Sequence, residues 1–118
     1  MEIKNFKDLI VWQKAMKLAT EVYRITNKLP KEESYGLTSQ MRRSAVSVPS
    51  NISEGHSRHS TKEFQRFLYI ALGSNSELET QLLLCIELAY LKNEDLKQIF
   101  ELHKEVEKMI KVLARKLN

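Results

Sequence analysis

The chain has 118 residues, which suits one domain and leaves little room for two. Hydrophobic residues make up 42% and charged residues 29%, the balance of a packed globular protein rather than a disordered one. Three Gly and two Pro are too few breakers for a turn-rich β protein and point to long helices. A net charge of +4 and a pI of about 9.2 suit a polyanion or acidic partner without requiring one.

Cys85 is the only cysteine, so no internal disulfide forms and a reducing cytoplasm is expected. Between Leu84 and Ile86 it reads as a small buried hydrophobe rather than an activated thiol. Glu2, Lys4, Lys7 and Asp8 interrupt any apolar run at the start, so no secretory leader is expected there. No stretch is apolar over the length a membrane span needs.

The first periodic segment predicts a helix over about 7–28. Leu9, Trp12, Met16, Ala19 and Tyr23 recur at three- and four-residue steps, as one helix face requires. A second apolar row, Val11, Ala15, Leu18, Val22, Ile25 and Leu29, runs beside it. Pro30 then ends the helix, since proline disfavours the helical region for the residue before it.

A second helix is predicted over about 32–56, with Leu37, Met41, Ala45, Val48 and Ile52 toward the core. It is rich in serine, and Pro49 inside it predicts a kink, because proline removes one backbone bond and crowds the carbonyl of Ala45. Gly55 is read as marking the end of this helix. Ser60-Thr61-Lys62-Glu63 has the form of a capping box and starts a third helix over about 61–90. There Phe64, Leu68, Ala71, Asn75, Leu78, Leu82, Cys85 and Ala89 alternate four and three apart, a heptad seam of the kind that packs bundles. Asn75 in that seam reads as a buried polar residue that fixes register.

Asn93 is read as the N-cap of a fourth helix over about 94–116, with Glu94 and Asp95 in its first turn. Its seam is Leu96, Ile99, Leu102, Val106, Met109, Leu113 and Leu117. Four helices with short connections predict a single all-α domain spanning 1–118: an antiparallel up-down four-helix bundle roughly 35–45 Å long.

The sequence carries no catalytic pattern. No glutamate is followed three residues later by histidine, which excludes the usual di-metal bundle site. Phosphate-binding glycine loops and nucleophile elbows are missing. His56, His59 and Glu63 straddle a predicted loop and read as exposed polar residues, and His103 is placed on a solvent face among Glu101, Lys104 and Glu105. No metal, no cofactor and no enzymatic activity are expected.

The unusual stretch is 35–55, with paired arginines, five serines, Pro49 and a terminal group of Asn51, Glu54 and Gly55. Arg42 and Arg43 diverge by about 100° on a helix, so at most one points along the core edge. One arginine pairing with Glu54, Glu77 or Glu79 is the structural reading. Phosphate contact is the functional one, with Arg58, Lys62 and Arg66 extending the same basic patch.

This stretch, with Asp8-Leu9-Ile10-Val11-Trp12-Gln13 before it and Gly73-Ser74 followed by Glu77-Leu78-Glu79 after it, closely resembles the four-helix bundle family named for 23S rRNA intervening sequences. The resemblance runs through nearly the whole chain in the same order, with Ser53 standing where the family often has Ala. It implies a bundle assembled as a ring, typically a homopentamer, without enzymatic activity. It also implies a likeness to the accessory bundle protein of diversity-generating retroelements, a basic pentamer that is thought to bind nucleic acid and a reverse transcriptase. The surplus apolar residues Val11, Leu18 and Ile25 on the first helix, and Leu72 and Leu83 on the third, are the expected oligomer interface. The expected function is a nucleic-acid-associated accessory role in the cytoplasm, with RNA or DNA as ligand and Arg42, Arg43, Arg58, Lys62 and Arg66 as contacts. The alternative is a protein–protein adaptor that binds no nucleic acid; charge reversal at the arginines separates the two.

Overall fold

The computed structural model describes residues 5–117. Its four helices are α1 (Ile10–Thr26), α2 (Leu37–Ser57), α3 (Thr61–Glu87) and α4 (Asn93–Lys116), with short 3-10 turns at Phe6–Asp8 and Lys31–Glu33. Contacts run α1 to α2, α2 to α3, α3 to α4 and α4 back to α1, so the helices stand as an up-down square. The rod measures 45 × 25 × 19 Å.

α1 presents a different face from the one its first apolar row suggests. Val11, Ala15, Leu18, Val22 and Ile25 are buried, while Met16 and Tyr23 are exposed. Val11, Leu18 and Ile25 are therefore core residues, not surplus ones free for an oligomer interface. The helix lies between α2 and α4 and needs one stripe for both. The row Trp12, Met16 and Tyr23 instead lines a groove with Val46 and Pro49 of α2. Of the two α3 leucines, Leu72 is half-buried against the core and Leu83 stands 49% exposed.

α2 begins five residues later than its periodicity suggests. Pro30 holds extended backbone (ψ 152°) and the chain makes a 3-10 turn before Leu37. The Glu33 carboxylate then caps the helix: the Leu37 backbone N–H donates to its Oε1 at 3.1 Å, and the Tyr90 hydroxyl donates to its Oε2 at 2.9 Å. One side chain thus ties the first connection to the far end of α3. From Leu37 the helix runs unbroken through Pro49, which is buried.

Gly55 lies within α2, two residues before its end, and a side chain there meets an obstacle. A Cβ on Gly55 would sit 2.6 Å from the Phe67 Cβ and 3.3 Å from the Phe64 ring. The glycine sets how closely α2 and α3 approach. Along the same seam the Ser47 and Ser74 hydroxyls meet at 2.9 Å and Cys85 Sγ reaches Met41 Sδ at 3.5 Å.

α3 starts with half of the expected capping box: the Glu63 N–H donates to Ser60 Oγ at 3.2 Å, while the Glu63 carboxylate accepts from Arg66. It ends through Ala89 in the left-handed region (φ 61°), while Tyr90 N–H bonds back to the Cys85 carbonyl. The cap of α4 is Lys92 rather than Asn93; its N–H donates to the Asp95 carboxylate at 3.1 Å. Toward the end of α4 the buried row passes from Met109 and Leu113 to Ile110 and Ala114. A straight helix of 3.6 residues per turn drifts by about 20° per heptad, and the core follows the drift.

The drift also buries His103, which the sequence placed on a solvent face. His103 is 2% exposed, and its Nε2 lies 2.8 Å from the Asn75 carbonyl oxygen while Asn75 Nδ2 donates to the His103 carbonyl at 3.2 Å. Asn75 thus fixes the α3/α4 register, at the cost of leaving its Oδ1 buried without a partner.

Candidate nucleic-acid interface

The five basic residues expected to contact phosphate divide into three environments. Arg42 turns inward along the end of α1. Its Nε donates to Thr26 Oγ1 at 2.9 Å, its Nη2 to Asn27 Oδ1 at 3.0 Å and to the Tyr23 carbonyl at 3.3 Å, and the guanidinium lies 4.7 Å from the Tyr23 ring centre. A cation at a helix C-terminus meets the negative end of the dipole. Arg42 is a structural clamp between α1 and α2, and its partners are a hydroxyl, an amide and a carbonyl rather than the carboxylates of Glu54, Glu77 or Glu79.

Arg58 and Arg66 flank the α2–α3 turn, both over the Phe67 ring at 5.0 and 4.6 Å. Arg58 pairs with Glu54 at 2.9 Å and Glu63 at 3.7 Å, and Arg66 pairs with Glu63 at 3.0 Å. The Arg66 hydrogen bond above all holds the Glu63 carboxyl below its ordinary value; desolvation opposes it, and the charges of Arg66, Arg58 and Lys62 add smaller lowering effects. Two carboxylates thus offset much of the charge of these two arginines. Lys62 and Arg43 are exposed and make no ion pair among the described residues.

The tertiary fold adds cations that lie far away in sequence. Gln65 Nε2 donates to the Ala114 carbonyl at 2.8 Å, which pins the start of α3 to the end of α4. Arg115 and Lys116 therefore share one end of the rod with Arg58, Lys62 and Arg66. Neither has a carboxylate partner among the described residues; Arg115 Nε donates to the Lys111 carbonyl. The opposite end carries Glu32, Glu33, Glu94 and Asp95 beside Lys28, Lys31 and Lys92, so the charges named there nearly cancel. Arg115 and Lys116 read in sequence only as complements to the α4 dipole; a fold that returns α4 to the α2–α3 turn makes them a patch.

A second polar feature lies on the side of the rod. Between α2 and α3, Gln40, Arg43, Ser44, Ser47, Ser74 and Glu77 line a cleft of about 340 Å³. Arg43 opens onto this cleft and is separated from the patch at the end.

The family model of the 23S rRNA-intervening sequence proteins matches residues 7–112, nearly the whole chain. The chain belongs to that family. The fold agrees with a crystal structure of a protein of unknown function from the S23 ribosomal protein family of Bacteroides thetaiotaomicron. That protein is 26% identical, with a TM-score of 0.82 over 90% of this chain and 96% of the other. None of the curated proteins matches the chain. In this member of the family His56 stacks edge-on with Phe64 at 5.6 Å, and Glu63 is engaged by arginines. No three His, Cys, Asp or Glu side chains converge on a metal-sized point among the described residues. No helix is long and apolar enough to cross a membrane among those residues.

Proposed function

We propose that the protein is a non-enzymatic, homo-oligomeric bundle of the cytoplasm that associates with RNA through the basic end of its rod. The observation that carries this reading is the gathering of Lys62, Arg115 and Lys116 at one end without carboxylate partners among the described residues, beside the partly neutralised Arg58 and Arg66. Unpaired cations release counterions from phosphate on binding, whereas paired ones must first give up a carboxylate. The family's name, from intervening sequences of 23S rRNA, favours RNA over DNA.

The test is a salt titration of binding to a labelled structured RNA, with duplex DNA alongside. Exchanging Lys62, Arg115 and Lys116 for Glu should abolish binding, and each lost phosphate contact lowers the salt slope by about 0.7–0.9. No binding of the native protein at low salt refutes the reading.

Self-association is supported by two apolar surfaces that one chain leaves uncovered. Tyr69, Leu83, Leu84 and Leu88 are 44–50% exposed along α3, and the α1/α2 groove holds Met16, Tyr23 and Val46 on a different side of the rod. A ridge and a groove on different faces join head-to-tail, the kind of contact that closes into a ring. Exchanging Leu83 and Leu84 for Glu should give monomers by light scattering with helicity retained. A native protein that is already monomeric would instead favour the adaptor reading, with these faces open to another protein.

A further inference from the structure

The α2/α3 cleft carries a set of groups that neither the basic end nor the core explains. Arg43 and Glu77 flank it from opposite helices, and neither makes a hydrogen bond or ion pair among the described residues. Opposite charges that share a cleft yet stay more than 4 Å apart leave both available to something between them.

The floor is polar and fixed. The Ser47 and Ser74 hydroxyls bond each other at 2.9 Å, and Asn51 Nδ2 donates to the Ser47 carbonyl at 2.8 Å and to its hydroxyl at 2.9 Å. Ser44 lines the same cleft, is 4% exposed, and its hydroxyl has no partner among the described residues. The hydroxyl is therefore open to a group that enters the cleft.

The charges decide what kind of ligand fits. A bare phosphate would meet the Glu77 carboxylate, and a simple cation would meet Arg43. The ligand must present acceptors to the guanidinium and donors to the carboxylate. Among nucleobases, guanine does both: O6 and N7 accept from a guanidinium fork, and N1–H and N2–H donate to a carboxylate. A cleft of about 340 Å³ lies at the small end of ligand pockets, enough for a single base with its sugar.

We propose that the cleft between α2 and α3 binds one unpaired guanine, with Arg43 on its O6/N7 edge, Glu77 on its N1/N2 edge, and the Ser44 hydroxyl at the floor. That the base comes from RNA rests on the function proposed above; recognition of the base itself does not. Single-stranded loops expose such bases, and RNA recognition commonly reads them on these edges.

The experiment titrates the full chain by calorimetry with guanosine 5′-monophosphate and, separately, adenosine 5′-monophosphate, with the structured RNA measured in parallel. Guanosine monophosphate should bind about tenfold or more tightly than the adenosine nucleotide, the discrimination a bidentate contact supplies. Glu77→Gln should erase that preference with helicity and Tm unchanged, and Arg43→Gln should remove guanosine monophosphate binding. Equal binding of the two nucleotides, no binding of either, or a preference that survives Glu77→Gln overturns the proposal. RNA binding without guanine preference sinks the cleft and leaves the basic end standing. Guanine preference without RNA binding does the reverse.

Discussion

Gly55→Ala tests the idea that one hydrogen atom sets the α2/α3 spacing. The added Cβ falls 2.6 Å from the Phe67 Cβ, an atom held by the α3 backbone that cannot swing aside. Ordinary carbon contacts lie at about 3.5–4.0 Å, so the helices must part by roughly 1 Å near their shared turn. Overpacking of this kind costs about 1–3 kcal/mol, against about 1 kcal/mol returned because Ala favours a helix over Gly. The net expectation is a loss of up to about 2 kcal/mol, and for a chain of this size each kcal/mol lowers Tm by about 3–5 °C. The matched control is Gly73→Ala, where nothing lies within 4 Å of the new Cβ. It should gain about 1 kcal/mol from propensity alone. Both are best measured by urea unfolding in the Leu83→Glu/Leu84→Glu background, so that assembly does not enter. A Gly55→Ala variant as stable as the Gly73→Ala one would refute the reasoning.

Three further outcomes follow from the structure. Arg42→Ala removes three hydrogen bonds and a ring contact, and should cost about 1.5–3 kcal/mol in urea titration while leaving RNA affinity unchanged; a variant of native stability with lost RNA binding would return Arg42 to the interface. Asn75→Leu should gain about 1 kcal/mol, because it removes a buried carbonyl oxygen that has no donor. A destabilised variant would mean that the link to His103 is worth more than the orphaned atom costs. Burial above all, with a smaller effect of the Glu33 charge, pushes the Cys85 thiol from 9.0 up to about 11. The unfolded thiol ionises first, so this stabilisation is complete below pH 9 and is lost as pH rises toward about 11. The Tyr90 phenol, raised chiefly by its hydrogen bond to Glu33, has the same sign. Urea midpoints from pH 7 to 11 should fall less steeply for Cys85→Ala than for the native chain, and superimposable profiles would count against the argument.

Helix number, order and approximate length were legible in the residues. Where one apolar row is clean, as from Leu68 to Cys85 on α3, the period names the core face and the structure buries it. The Ser60 cap is equally local, since a hydroxyl and a backbone N–H three residues apart need no other helix. Rotation was not legible where two apolar rows run side by side. Val11 and Trp12 are both apolar neighbours on α1, and only contact with α2 and α4 decides that Val11 goes inside. The same applies to His103, whose burial depends on α4 drifting against α3 and on an Asn75 carbonyl contributed by the other helix.

The candidate sites divide along the same line. Sequence determined that this chain is a basic all-α bundle and that its arginines cluster around 42–66, because composition and period are properties of one strand of chain. Tertiary structure decided which charges remain free. It set Arg42 on the end of α1, Arg58 and Arg66 against Glu54 and Glu63, and Arg43 opposite Glu77 across a cleft. It also carried Arg115 and Lys116 back to Lys62 through the Gln65–Ala114 hydrogen bond. The availability of a charge depends on what lies within a few ångströms of it, and in a bundle most of those neighbours belong to another helix.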